Sequence, residues 1–438
     1  MSEIHDRQRT LDLALRVGEL LLSNGAGAAD VTATMSSITH HLGLRQALVD
    51  VTFTTLTLSH TTAIDEPVLS MTRHVTHRET DFADLTVVDY VVSQLLADEI
   101  SREEAASEVA RIASSGHPRP RWAITAGSGL TGAGVALLLG GDWIVLLIAA
   151  VAGSLIEILQ RKIARLRLPF FYSQVAGGLL ATTFAVALRA LDVPVNSSIV
   201  VTASIIMLLA GQGFIGAIQD ALTGFYITAN ARILEVMIAT AGIIVGVSAG
   251  LSIGRSIGVE VSLTPGAAGF SDTPTVALGA AIAAGSFAFT AYSPKRVVVP
   301  VALLSGAASG LYFVLTTHGV GRAAAAGVAA VAIGLVSYWV AGWFKVPPLV
   351  VITACVVPLL PGLSIYRALS MLAAEDFNGM IAMITAAAVA LSLSAGAILG
   401  EYIAQPLRRE SRKLEQRLSG PRLVGPLRAR AVAKKQKG

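Results

Sequence analysis

One cysteine, Cys355, stands in a chain of 438 residues. A lone thiol excludes an intramolecular disulfide and a cysteine-built metal site, and its apolar neighbours assign it the role of a small core hydrophobe. Charge is scarce as well: Asp, Glu, Lys and Arg make up 14% of the chain, against roughly 25% in a soluble domain. Lysine is missing from residues 1–121, which hold ten Arg and seventeen Asp or Glu, a balance of −7. The opening MSEIHDRQRTLDLALRVGELL has no uninterrupted apolar core and no small-residue cleavage site, so a secretory signal is not expected and the first domain should stay in the cytoplasm. Zinc-type spacing is absent too. Seven of the eight histidines lie in residues 1–117, including His40, His41, His74 and His77, but they match no strong zinc pattern. Residues three apart on a strand point to opposite faces, which separates His74 from His77. No metal, cofactor or enzymatic chemistry is expected.

What is present is apolar. Hydrophobic residues make up 53% of the chain and the mean hydropathy is +0.66, a membrane protein's composition. Residues 122–404 hold twelve Lys or Arg and ten Asp or Glu, whereas residues 405–438 hold eleven against two, a balance of +9. The chain therefore reads as an acidic soluble region, a long apolar region and a basic tail. In the first, LDLALRVGELLLS and AADVTATMSSITHHLGL have helical periodicity, with Asn24-Gly25 as the break. The alternating LVDVTFTTLTLSH and PVLSMTRHV predict a small sheet. Two more helices follow, the second opening on Ser101 with Glu104 three residues later, the pattern of a capping box. Residues 1–120 are thus expected to form a compact α/β domain.

Ten apolar segments follow, near 123–140, 143–160, 170–190, 197–218, 230–254, 275–291, 296–316, 322–342, 347–364 and 379–403. Arg119, Arg121, Arg161, Lys162, Arg165, Arg167, Arg232, Lys295, Arg296 and Lys345 all fall in connections on the side of the N-terminus. The basic tail joins them, so ten spans with both termini inside is the consistent topology.

The second half repeats the first. LLAGQGFIGAIQDALTGF at 208–225 has its counterpart in VVPLLPGLSIYRALSML at 356–372, each between the fourth and fifth spans of its half. Small residues then recur at every fourth position, as Gly242, Gly246, Gly250 and Gly254, and again as Ser392, Gly396 and Gly400. Such seams let helix backbones approach closely in lipid. Two halves of five spans insert in opposite senses, which makes an inverted repeat over 121–258 and 275–404, joined by an external linker at 259–274 and followed by the tail at 405–438. Broken helices at matching positions are the mark of secondary transporters, whose site lies where the breaks meet. Gly211, Gln212, Gly213 and Gln219 in one half, with Pro358, Pro361, Gly362 and Tyr366 in the other, are the expected substrate-binding residues. A zwitterion suits freed N–H and C=O groups. Ionisable residues within a membrane are costly and mark function, which makes Asp220, Glu235 and Arg232 candidates for proton coupling. An ion pair of Arg232 with Glu235, one turn away, is the structural alternative. Arg367 is placed outside as a gate candidate, while Glu157 and Glu401 lie near cytoplasmic helix ends, where snorkelling suffices.

GELLLSNGAGAADVTATMSSITHHLGL, GAIQDALTGFYITANARILEVMIA and PLVVITACVVPLLPGLSIYRALSML resemble, in order, the signatures of the bacterial threonine/serine exporter family. The resemblance covers nearly the whole chain. It implies ten membrane helices, a cytoplasmic N-terminal domain, an inner-membrane location and proton-driven export of threonine and serine. Ala210-Gly211 stands where the family's Pro-Gly is expected and Gln219 where a basic residue is common, which leaves room for a softer break and another ligand. The expected partners are a small amino acid, protons and the bilayer, with anionic lipid at the tail and no nucleic acid. A homo-oligomer stays open. The alternative is a receptor or assembly factor working through its soluble domain, or a transporter of another small zwitterion. A channel is disfavoured, because no span carries a ring of like charges.

Overall fold

A computed structural model describes residues 2–61, 67–76, 80–116, 119–166, 168–193, 195–208, 211–259, 272–373 and 376–411. His77, the centre of the expected linker and most of the basic tail lie outside the described residues.

The N-terminal segment has the element order expected from its periodicity. Helix α1 (Ser2–Ser23) begins earlier than its apolar pattern, and its first turns are held by Arg102, which donates to Asp6 Oδ1 at 2.6 Å. After α2 (Ala28–His41) come β1 (Leu48–Thr52), β2 (Thr55–His60) and β3 (Leu69–His74), an antiparallel sheet in the order β1-β2-β3. The alternation works as expected. Leu56, Leu58 and His60 of β2 turn inward, while the hydroxyls of Thr57 and Ser59 meet those of Thr72 and Ser70 on the other face. Helices α3 (Phe82–Leu96) and α4 (Arg102–Ser114) complete the domain, and Ser101 with Glu104 closes a reciprocal capping box. Leu11, Leu15, Leu21 and Leu22 of α1 pack with Leu56, Leu58 and Leu85 in its core.

The rest is helical: α5 (Arg121–Leu138), α6 (Trp143–Arg165), α7 (Phe170–Ala190), α8 (Ser197–Leu208), α9 (Gly211–Leu222) and α10 (Tyr226–Ser256), then α11 (Thr273–Thr290), α12 (Lys295–Thr317), α13 (Arg322–Phe344), α14 (Pro348–Val356), α15 (Gly362–Ala373) and α16 (Asn378–Ser411). Among the described residues, seven are long and apolar enough to cross a membrane: α6, α7, α10, α11, α12, α13 and α16. The protein is a polytopic helical membrane protein. The ninth expected stretch is divided into α14 and α15, while the fourth holds α8 and α9 on either side of residues 209–210, which lie outside the described residues.

Glycine decides which helices touch. A Cβ on Gly246 would fall onto the carbonyl oxygen of Val175, and one on Gly250 would lie 2.7 Å from Thr182 Cβ, so α10 lies directly on α7. Gly396 and Gly400 bring α16 as close to Gly327 and Val331 of α13. Residue numbers rise together along each pair, so both pairs are parallel. Gly134 and Gly279 seat α5 against α11, where a Cβ on Gly279 would stand 2.5 Å from Leu138 N. Contacts this short need backbone to meet backbone, which no larger side chain permits.

Candidate functional site

The break between α14 and α15 follows from its prolines. Pro358 has no N–H to continue the helical ladder, and the chain passes through a 3-10 turn at Val357–Leu359 into an extended Leu360 before Pro361 and Gly362 restart the helix. The freed groups find partners nearby. Ser305 Oγ of α12 donates to Cys355 O at 2.9 Å, and α15 then resumes the ladder with Ile365 N–H donating to Pro361 O at 2.9 Å. Such replacement is what allows an interrupted helix inside a bundle.

Beside this break lies a cavity of about 210 Å³. Helix α9 lines it with Gly213, Gly216 and Gln219, and α10 adds Arg232 and Glu235. From the second half come Leu349, Ile352, Thr353 and Val356 of α14, then Leu360, with Leu393 and Ala397 of α16. The N-terminal domain supplies the remaining wall: Leu22, Ser23, Asn24 and Gly25 between α1 and α2, together with Thr80 and Phe82. One guanidinium, one carboxylate, two amides and several hydroxyls therefore face a mostly apolar chamber. That donor set suits a small zwitterion better than a hydrophobe or a polyanion.

The domain is held in place by specific bonds. Asp220, 1% exposed, accepts the N–H of Ala28 at 2.9 Å and thereby caps the N-terminus of α2, while its other oxygen lies 3.1 Å from Arg232 Nη1. Gly216 leaves space for that guanidinium, since a Cβ there would come within 2.7 Å of Nη1. Arg232 Nη2 also reaches Ala26 O at 3.4 Å. In the β1–β2 turn, Phe53 adopts a φ of 43° and donates its N–H to Thr228 Oγ1 at 3.0 Å. Across the bundle, Phe82 N–H donates to Ala291 O at 2.9 Å, and Arg119 donates to the carbonyls of Phe289 and Ser293. The Arg119 guanidinium lies 4.3 Å from the centre of the Phe289 ring. Burial pulls Arg119 below the usual arginine value and Asp81 opposes the shift. The domain thus spans the ends of both helical halves.

Gly213, Gln219, Arg232 and Glu235, four of the residues singled out in the sequence, line the cavity together. Asp220 stands behind Arg232, in the joint with α2. Gly211 opens α9, and the side chain of Gln212 lies outside what is described. Pro358, Pro361 and Gly362 shape the break, from which Val356 and Leu360 reach the cavity. Tyr366 is 8% exposed and packs in a different apolar cluster with Val200 and Ile205. Arg367 is half-buried within electrostatic reach of Arg322. The carboxylate paired with Arg232 is Asp220 rather than Glu235. Asn24, Phe82 and Thr353 escaped the sequence reading because Asn24 reads as a turn, Phe82 as a helix start and Thr353 as part of a span.

Residues 12–254 match the family described as "Putative threonine/serine exporter", and residues 276–403 match "Threonine/Serine exporter, ThrE". A "Probable threonine/serine exporter" of Mycobacterium tuberculosis (strain ATCC 25618 / H37Rv) is 33% identical over 432 residues, covering 96% of this chain and 81% of the relative. The "Threonine/serine exporter" of Corynebacterium glutamicum is 31% identical over 415 residues, covering 92% and 84%. No solved structure matches. These names describe transporters, not enzymes. With both halves matched in order and the relatives aligned across nearly the whole chain, the protein belongs to the threonine/serine exporter family.

Proposed function

We propose that the protein is a secondary active transporter that exports small amino acids, threonine and serine foremost, across the inner membrane in exchange for protons. The cavity carries this reading. It lies where α9 of the first half approaches the break of the second, and it offers complementary groups to each end of an amino acid. The substrate carboxylate lies by Gly213 and Gly216 of α9, the ammonium faces Glu235, and the side-chain hydroxyl meets Thr353 or Gln219. Arg232 stays engaged with Asp220.

In this reading α5 to α10 and α11 to α16 form two inverted sets of five spans, with α8 and α9 together, and the interrupted α14/α15, as the fourth member of each. Support comes from matched packing, since the third and fifth members are the glycine-seamed parallel pairs in both sets. The basic residues of the short connections put both termini in the cytoplasm, and the N-terminal domain then closes the cavity from that side. The boundaries at 120, 258, 274 and 404 belong to the same proposal, as does attraction of anionic lipid to the tail.

Radiolabelled threonine and serine flux in proteoliposomes, with and without an imposed pH gradient, tests the proposal. Gradient-dependent flux of one label that the other amino acid competes away is the expected result. Folded protein that moves neither amino acid would shift the assignment to another zwitterion or to a receptor acting through its domain.

A further inference from the structure

Glu401 has no role in the reading above. Near the end of the last apolar stretch its side chain should snorkel, but α16 continues to Ser411 and Glu401 is 1% exposed. Neither carboxyl oxygen has a hydrogen-bond partner among the described residues. The seam with α13 holds the backbone rigidly here, since a Cβ on Gly334 would stand 3.0 Å from Glu401 N. A carboxylate cannot remain ionised in such a place without compensation.

Among the described residues its neighbours offer none. Leu393, Ala397 and Glu401 follow one another at four-residue spacing on one face of α16, and the first two line the cavity. Glu401 is therefore one turn beyond the cavity, towards the N-terminal domain. From α2 it meets the field of Asp30, which is 5% exposed in that helix's first turn. Helix α9 brings Asp220, already paired with Arg232 of α10. Helix α13 presents Tyr338 as its titratable group between Arg322 at its start and Lys345 at its C-cap. Arg367 of α15 lies near Arg322 instead. Asp30 and Asp220 meet at Gly27, where a Cβ would lie 3.7 and 3.5 Å from their carboxylate oxygens. A proton neutralises the Glu401 carboxyl without a further protein partner.

We propose that Glu401 binds the proton exchanged for substrate. The proposal rests on the exporter reading for its transport role. The proton leaves to water on the side of the N-terminal segment. In the conformation facing the other side, the carboxylate takes a proton from water again.

Infrared difference spectroscopy of the full chain in lipid tests proton binding without needing transport. At neutral pH a protonated-carboxyl C=O band is expected in the wild type, lost in Glu401→Gln and kept in Glu235→Gln. Absence of any Glu401-dependent band overturns the proposal. Where Glu401→Gln fails to insert, Glu401→Asp decides, because a band from this position must shift in frequency and one from elsewhere stays put. For coupling, a one-unit pH gradient can drive about tenfold accumulation when one proton exchanges per substrate. The ratio of gradient-driven to gradient-free threonine flux should collapse to about one in Glu401→Gln, and a wild-type ratio in that variant refutes the coupling role. Wild-type protein that moves no amino acid would sink the exporter reading alone, while the infrared result would still decide Glu401.

Discussion

At the scale of single residues, the pair of Asp220 and Arg232 is the joint on which the site depends. Both are nearly inaccessible, at 1% and 8%, so removing either takes away the other's opposite charge in a buried place. Arg232→Ala should cost about 3–5 kcal/mol, as breaking a buried pair from one side does. A lowered melting temperature in detergent and faster proteolysis within the N-terminal domain are the expected readouts. A wild-type melting temperature would mean that the joint adds nothing. Sequence spacing favoured Glu235 as the partner of Arg232, one turn along the same helix. The actual partner lies across a helix boundary, because α9 turns back at Gly224 (φ +94°) and returns Asp220 to the side of α10. Asp220 also supplies the cap that α2 lacks locally, since its N-cap is Gly27 and makes no side-chain bond.

At the scale of elements, the interrupted helix of the second half is the feature most directly written in residues. Pro358, Pro361 and Gly362 cannot continue α14, and Ser305 is placed to take the carbonyl they release. Pro361→Ala combined with Gly362→Leu removes two of the three helix-opening residues and leaves Pro358. Transport should be abolished while insertion and expression remain normal, measured as flux per correctly inserted molecule. Unchanged flux in such protein would remove the break from the mechanism. The small-residue seams were equally legible, because glycine at every fourth position serves close helix contact and little else. Their partners were not, since a seam in α10 does not say that α7 is what fills it.

At the scale of the whole molecule, the N-terminal segment walls the cavity directly. Phe82 lines the cavity and meets Phe287 edge to face at 6.4 Å, and Arg119 holds the end of α11 through two carbonyls. Hydrogen bonds to a charged donor contribute about 1.5–3 kcal/mol each. Arg119→Ala should therefore raise hydrogen exchange in residues 80–97 and reduce transport, with the rest of the bundle unchanged. Exchange equal to the wild type would show that the domain docks without this clamp.

Period and composition by themselves determined that the chain is an acidic segment of helices and strands followed by a helical membrane region with a broken helix in its second half, because burial in lipid and helix breaking are local properties of the residues concerned. The chamber walls, the Asp220 partnership and the burial of Glu401 were decided only by tertiary structure. Each depends on which distant segments meet, and periodicity in one segment carries no record of the surface it packs against.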